Sequence, residues 1–208
     1  MIKQFSQEFK NKLWDIIAET ENNSQVEIVV MIKPESETYK DIALWYGIAL
    51  AFISFSFFMF APFVFGDYLL HTGTIFAFVV GMGLTYFIKP VLNCLVPEKR
   101  KKRSVEIIAR ALFQKAGINN TNEKIGVLFY ISLLEKICFI LPDKGAFSSI
   151  PQAEWERTET SFNKIFSLQN PADALLTELK ALIPMFNKYL PPVENDINEL
   201  PDNIEVSL

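Results

Sequence analysis

The chain has one histidine and two cysteines in 208 residues. That scarcity removes zinc fingers, disulfide scaffolds and most histidine-dependent catalysis. It has no phosphate loop, no dinucleotide fingerprint, no CxxC and no Ser-His-Asp set, so nucleotide and nucleophilic chemistries lack visible residues. Charge of one sign is not in large excess: 20 basic residues stand against 24 acidic ones, so nothing global argues for nucleic acid as a partner, none is expected, and any basic footprint must be local. What is abundant is apolar surface. Half the residues are hydrophobic and the mean hydropathy is +0.20, high for a wholly soluble protein.

The apolar excess is concentrated. From Ala43 to Phe65 and from Leu69 to Ile88 no charge occurs, and each run is long enough to cross a hydrocarbon core of about 30 Å as a helix. Gly66-Asp67-Tyr68 between them reads as a tight turn, so the two runs predict an antiparallel transmembrane hairpin within residues 43–96. Small residues recur at intervals of four on both: Ala43, Gly47 and Ala51 on the first, Gly73, Ala77, Gly81 and Thr85 on the second. In an antiparallel pair 43 opposes 85, 47 opposes 81 and 51 opposes 77, which predicts a close-packed seam. The phenylalanines of the first run, Phe52, Phe55, Phe57, Phe58, Phe60 and Phe63, are then expected to face lipid or another subunit. No ionisable group lies at mid-depth, which disfavours channel, pump and transporter readings.

Lys99 to Arg103 form a basic cluster, residues 97–103, just after the second run, while the turn between the runs has no lysine or arginine. This asymmetry predicts that both flanks, and so both termini, are cytoplasmic. Outside that cluster the chain is acidic, and contact of the cluster with anionic lipid headgroups is the sharper reading of it. The first 42 residues are charged throughout, so no secretory signal is expected.

The soluble parts flank the hairpin. Phe5, Phe9, Leu13 and Ile17 predict an amphipathic helix, and Val26 to Ile32 predicts an interior strand. After the cluster come a helix ending at Gly117, two strands at Ile125 to Leu133 and Lys136 to Leu141, a turn at Asp143-Lys144-Gly145, a helix around Trp155 and Phe162, and a helix opened by Asn170-Pro171 and interrupted at Pro184. Residues 1–42 are too few to build a core alone. They are expected to fold with residues 104–208 into one α/β layer structure in which the hairpin is an insertion.

Residues 126–145, GVLFYISLLEKICFILPDKG, resemble the signature of TPM-domain membrane proteins: a strand of the type G-V-L-x-x-x-S-L-x-E, a second strand and a D-x-G turn. Val26 to Val30, Ser36, Tyr39-Lys40-Asp41, Trp155 and Asn195 to Asp202 extend the likeness in order over almost the whole chain. The resemblance implies an α/β/α sandwich with a small central sheet, here interrupted by a two-helix transmembrane hairpin, in a bacterial inner membrane. Family members are linked to acid phosphatase activity, calcium binding and maintenance of membrane complexes. Ala146, where the family has a larger aliphatic residue, and Pro184, in a helix that often carries glycine, depart from the pattern.

Carboxylates are the remaining candidates for chemistry. Asp143, leaving a strand beside a glycine, is positioned to approach a cation, although a turn in which Gly145 supplies positive φ accounts for the same residues and takes precedence. Glu135 reads as a solvated hairpin tip before a catalytic base. Asp196 and Glu199, with Asn198 and Asp202, are hard oxygen donors of the kind calcium or magnesium takes, but no EF-hand register is present and a loosely structured acidic tail takes precedence. Cys94, Cys138 and His71 read as packing or interfacial residues. Two functions follow. The favoured one is a non-enzymatic membrane module that docks on or assembles another membrane protein; the alternative is a metal-assisted phosphohydrolase built on Asp143 with Glu135 or the tail acids.

Overall fold

The computed structural model describes residues 5–121, 123–193 and 205–206. They form two compact units, one from Met1–Ser36 with Lys102–Leu208 and one from Glu37–Lys101.

The first unit is mixed α/β. Strands β1 (Glu27–Lys33), β2 (Gly126–Ser132), β3 (Ile137–Pro142) and the two-residue β4 (Glu205–Val206) form a sheet in the order β3-β2-β1-β4. β1 runs parallel to β2 and β4, and β2 pairs antiparallel with β3. The strand expected to be interior is so: β1 has neighbours on both sides. A strand buried on both faces has no need of alternation, which is why its apolar run is nearly continuous. Ile28, Val30, Ile32, Val127, Phe129 and Ile131 enter one core, and Val29, Met31, Leu128 and Tyr130 enter a second on the opposite face.

The first core is closed by α1 (Gln7–Asn23), α7 (Gln152–Lys164), α8 (Pro171–Ala181) and α9 (Ile183–Tyr189). α1 buries Phe9, Leu13 and Ile17, the residues its four-residue spacing selects, and the Ser6 hydroxyl accepts from the Phe9 amide at its start. Pro184 sits in the first turn of α9, so it separates two helices rather than kinking one. Asn170 stands at the start of α8 as expected, but its amide bonds the Asp173 carboxylate instead of capping the backbone. The second core is closed by Val105, Ala109, Leu112 and Phe113 of α5 (Glu98–Lys115), which is followed by Gly117 at φ 70°. The helices thus lie on both faces of the sheet.

The second unit contains α2 (Lys40–Phe60), α3 (Asp67–Phe87) and α4 (Lys89–Leu95). Both longer helices have 21 residues and are long and apolar enough to cross a membrane. α2 ends at Phe60, before the Phe65 expected from the uncharged run. Pro62 disfavours helix at Ala61, so the connection runs from Ala61 to Gly66, and Asp67 and Tyr68 already belong to α3. The two helices pack antiparallel along the small-residue seam. A Cβ on Gly81 would lie 3.2 Å from the Gly47 Cα, and Ala43, Gly47, Gly81 and Thr85 are the buried residues. Phe58, expected to face outward, instead lays its ring over Gly73, where the missing side chain leaves room for it.

Candidate functional site

Asp143 follows β3 directly. Its amide donates to the Gly126 carbonyl at 2.8 Å, prolonging the β2–β3 ladder, and its Oδ1 accepts from the Lys144 amide at 2.7 Å. The expected turn is in fact the start of a helix, α6 (Lys144–Ser149), and Gly145 does not take positive φ. Glycine is needed there for space: a Cβ would stand 2.3 Å from the Glu123 carbonyl oxygen and 2.7 Å from that of Lys124. The second carboxylate oxygen, Oδ2, is buried without a hydrogen-bond partner. Asp143 lines an open pocket with Arg110, Gln114, Lys144, Phe113 and Phe147. Arg110 is paired with Glu106 at 2.9 Å. An unpaired buried acceptor costs about 1–3 kcal/mol, so this oxygen is suited to accept one further donor or a cation.

Glu135 lies in the β2–β3 connection and is 3% exposed, buried rather than solvated. Its Oε1 accepts from the Ser36 amide at 3.0 Å and its Oε2 from the Ser132 hydroxyl. The Ser36 hydroxyl lies 2.9 Å from both the Tyr130 hydroxyl and Ser132 Oγ. Alongside, the Leu133 and Leu134 amides donate to the Lys33 and Pro34 carbonyls at 3.0 and 2.9 Å. The carboxylate therefore fixes the chain where it leaves β1. Burial pushes the Tyr130 hydroxyl up, only partly offset by its bonds to Ser36 and Ser132. Reading the sequence for sites misses Ser36, Ser132 and Tyr130. The signal was Ser132 three residues before Glu135, within the resemblance itself.

Asp143 and Glu135 do not meet. Val127 pairs with Pro142 and Ser132 with Ile137, so the two carboxylates flank opposite ends of the hairpin, about 20 Å apart at about 3.3 Å per residue. Asp196, Asn198, Glu199 and Asp202 lie outside the described residues. Among the described residues no three His, Cys, Asp or Glu side chains are grouped to hold a metal. Cys138 is buried in β3, where burial pushes its thiol up, with the Glu159 charge adding to it. Cys94 is exposed, and His71 Nδ1 lies 2.7 Å from the Asp67 carbonyl oxygen, a contact local to α3.

The basic cluster is not uniform. Arg100 bonds both Asp41 oxygens, at 2.5 and 2.9 Å, and also Glu37, while its guanidinium stacks 5.2 Å from the Tyr39 ring centroid. Tyr39 is buried and left-handed at φ 48°, a strained conformation for a bulky residue that these contacts over-determine. Lys101 is buried too, bonded to Asn93 at 2.9 Å and Glu98 at 2.6 Å. Lys99, Lys102 and Arg103 are exposed.

These features define a mixed α/β protein with a small sheet and two helices able to span a membrane. No protein-family model and no curated protein matches the chain. A solved structure does: the NMR structure of the BA42 protein from the psychrophilic bacterium Bizionia argentinensis sp. nov., at a TM-score of 0.60 and 19% identity. The match covers 97% of this chain and 94% of that one. At that identity the likeness is one of fold.

Proposed function

We propose that the chain is an integral, multi-pass protein of the bacterial inner membrane, with both termini cytoplasmic. Its TPM-like α/β/α domain serves as a non-enzymatic module that docks on, or assembles, another membrane protein. The observation that carries the membrane part is the outer surface of the α2–α3 pair. The small residues are used against each other, and large apolar side chains are left uncovered, Phe60 at 87% exposed and Phe52, Phe57, Phe63, Phe76 and Phe87 all exposed. That much continuous apolar surface calls for lipid or a partner helix. The non-enzymatic part is supported by the separation of Asp143 from Glu135 and by the engagement of Glu135 in holding Ser36.

A second reading keeps its place because of one atom. The unpartnered Asp143 Oδ2, in a pocket that also presents Lys144 and Arg110, favours a metal-assisted phosphohydrolase acting there without Glu135. The two readings separate in one experiment on protein extracted in mild non-ionic detergent. The docking reading expects migration on native gels above the mass of the chain and its micelle, unchanged by Asp143→Asn, and no phosphate release from a generic ester with or without calcium or magnesium. Migration as a lone chain, with metal-dependent release abolished by Asp143→Asn, replaces it by the second reading.

A further inference from the structure

We infer that three of the five clustered cations, Lys99, Lys102 and Arg103, form a binding ridge for anionic phospholipid headgroups, while Arg100 and Lys101 are structural. The inference rests on the membrane reading above. At positions i, i+3 and i+4 the three side chains share one face of α5. All three are exposed, and among the described residues none has an ion-pair partner. The neighbouring acids are already engaged, Glu98 with Lys101 and Glu106 with Arg110, so the face keeps its full charge. Arg100 is held by Glu37 and Asp41, and the buried Lys101 ammonium is held by Asn93 and Glu98. Once the cluster is set aside the chain is strongly acidic, so an acidic leaflet is the surface this ridge complements and the rest of the chain repels.

Attraction of about 1 kcal/mol per basic residue near an anionic surface corresponds to about fivefold each, or on the order of a hundredfold for three. The test titrates phosphatidylglycerol or phosphatidylcholine into neutral detergent micelles containing the full chain, at low salt, and reads retained lipid by native mass spectrometry. Wild type should prefer phosphatidylglycerol on the order of a hundredfold, and the preference should collapse in high salt. Lys99→Gln/Lys102→Gln/Arg103→Gln should abolish it with the circular dichroism spectrum unchanged, whereas Arg100→Gln and Lys101→Gln should each retain it. A triple variant that keeps the preference, a single Arg100→Gln that loses it, or no preference in wild type, as an acidic protein partner for this face would give, overturns the inference. Extraction of the chain from membranes by alkaline carbonate overturns the membrane reading and this inference together; a carbonate-resistant chain with an unaltered triple variant overturns this inference alone.

Discussion

Replacing Glu135 by alanine separates a structural carboxylate from a catalytic one. In the native chain its two oxygens accept from the Ser36 amide and the Ser132 hydroxyl, in a position only 3% exposed. Alanine removes both acceptors and leaves the donors without them. Each unsatisfied buried donor costs about 1–3 kcal/mol, and part of the loss is returned because a charge no longer has to be buried. The net expectation is about 3 kcal/mol, a factor of about 150 in the local opening equilibrium. Hydrogen exchange by mass spectrometry on the chain in detergent micelles should show faster exchange around Ser36 by about that factor, with a lowered melting temperature. Glu135→Gln keeps one acceptor oxygen and should cost about 1 kcal/mol. If Glu135→Ala were as stable as wild type, with Ser36 still protected, Glu135 would not be holding the exit of β1.

Gly81→Leu should disrupt the helical hairpin, because even a Cβ there stands 3.2 Å from the Gly47 Cα and 3.1 Å from the Leu50 Cβ; overpacking of about 1–3 kcal/mol should appear as a lower melting temperature in micelles, with Gly83→Leu, whose nearest neighbour is at 4.0 Å, as the tolerant control. Stability should also fall at alkaline pH. The folded Cys138 thiol is raised above its unfolded value, so its contribution is whole below about pH 8.5 and is lost as pH rises, by up to about 1.36 kcal/mol per pH unit. Denaturation measured from pH 7 to 10 should show that slope in wild type and a flatter one in Cys138→Ala; equal slopes would refute the assignment.

Much of the fold was legible because it rests on local period. The four-residue spacing of Phe9, Leu13 and Ile17 selects the buried face of α1, with Phe5 joining the same core from just before the helix, and Gly47 meets Gly81 as the spacing of the small residues implies. The end of α2 was misread because absence of charge was followed to Phe65, whereas Pro62 sets the boundary by backbone sterics. α6 is six residues long, too short for a period to show, so Asp143-Lys144-Gly145 looked like a turn. The environment of Glu135 was hidden for another reason: its partner Ser36 is 99 residues away, and whether a carboxylate is solvated or buried is decided by what folds over it. The unequal fates of Lys99 to Arg103 follow likewise from Glu37 and Asp41, some 60 residues earlier. Asp143 is conspicuous in the sequence as a carboxylate leaving a strand, but the burial of its Oδ2 without a hydrogen-bond partner exists only in three dimensions.

The orientation of the helical hairpin in the membrane is open to direct measurement by cysteine labelling. In a background lacking Cys94 and Cys138, Gly66→Cys places a thiol in the α2–α3 connection, where a side chain meets nothing within 4 Å, and Lys99→Cys places one on the exposed face of α5. A membrane-impermeant maleimide applied to intact spheroplasts should label the first and should reach the second only after the membrane is permeabilised. Labelling of Lys99→Cys in intact spheroplasts, with Gly66→Cys protected or labelled alike, would contradict a hairpin inserted from the cytoplasm.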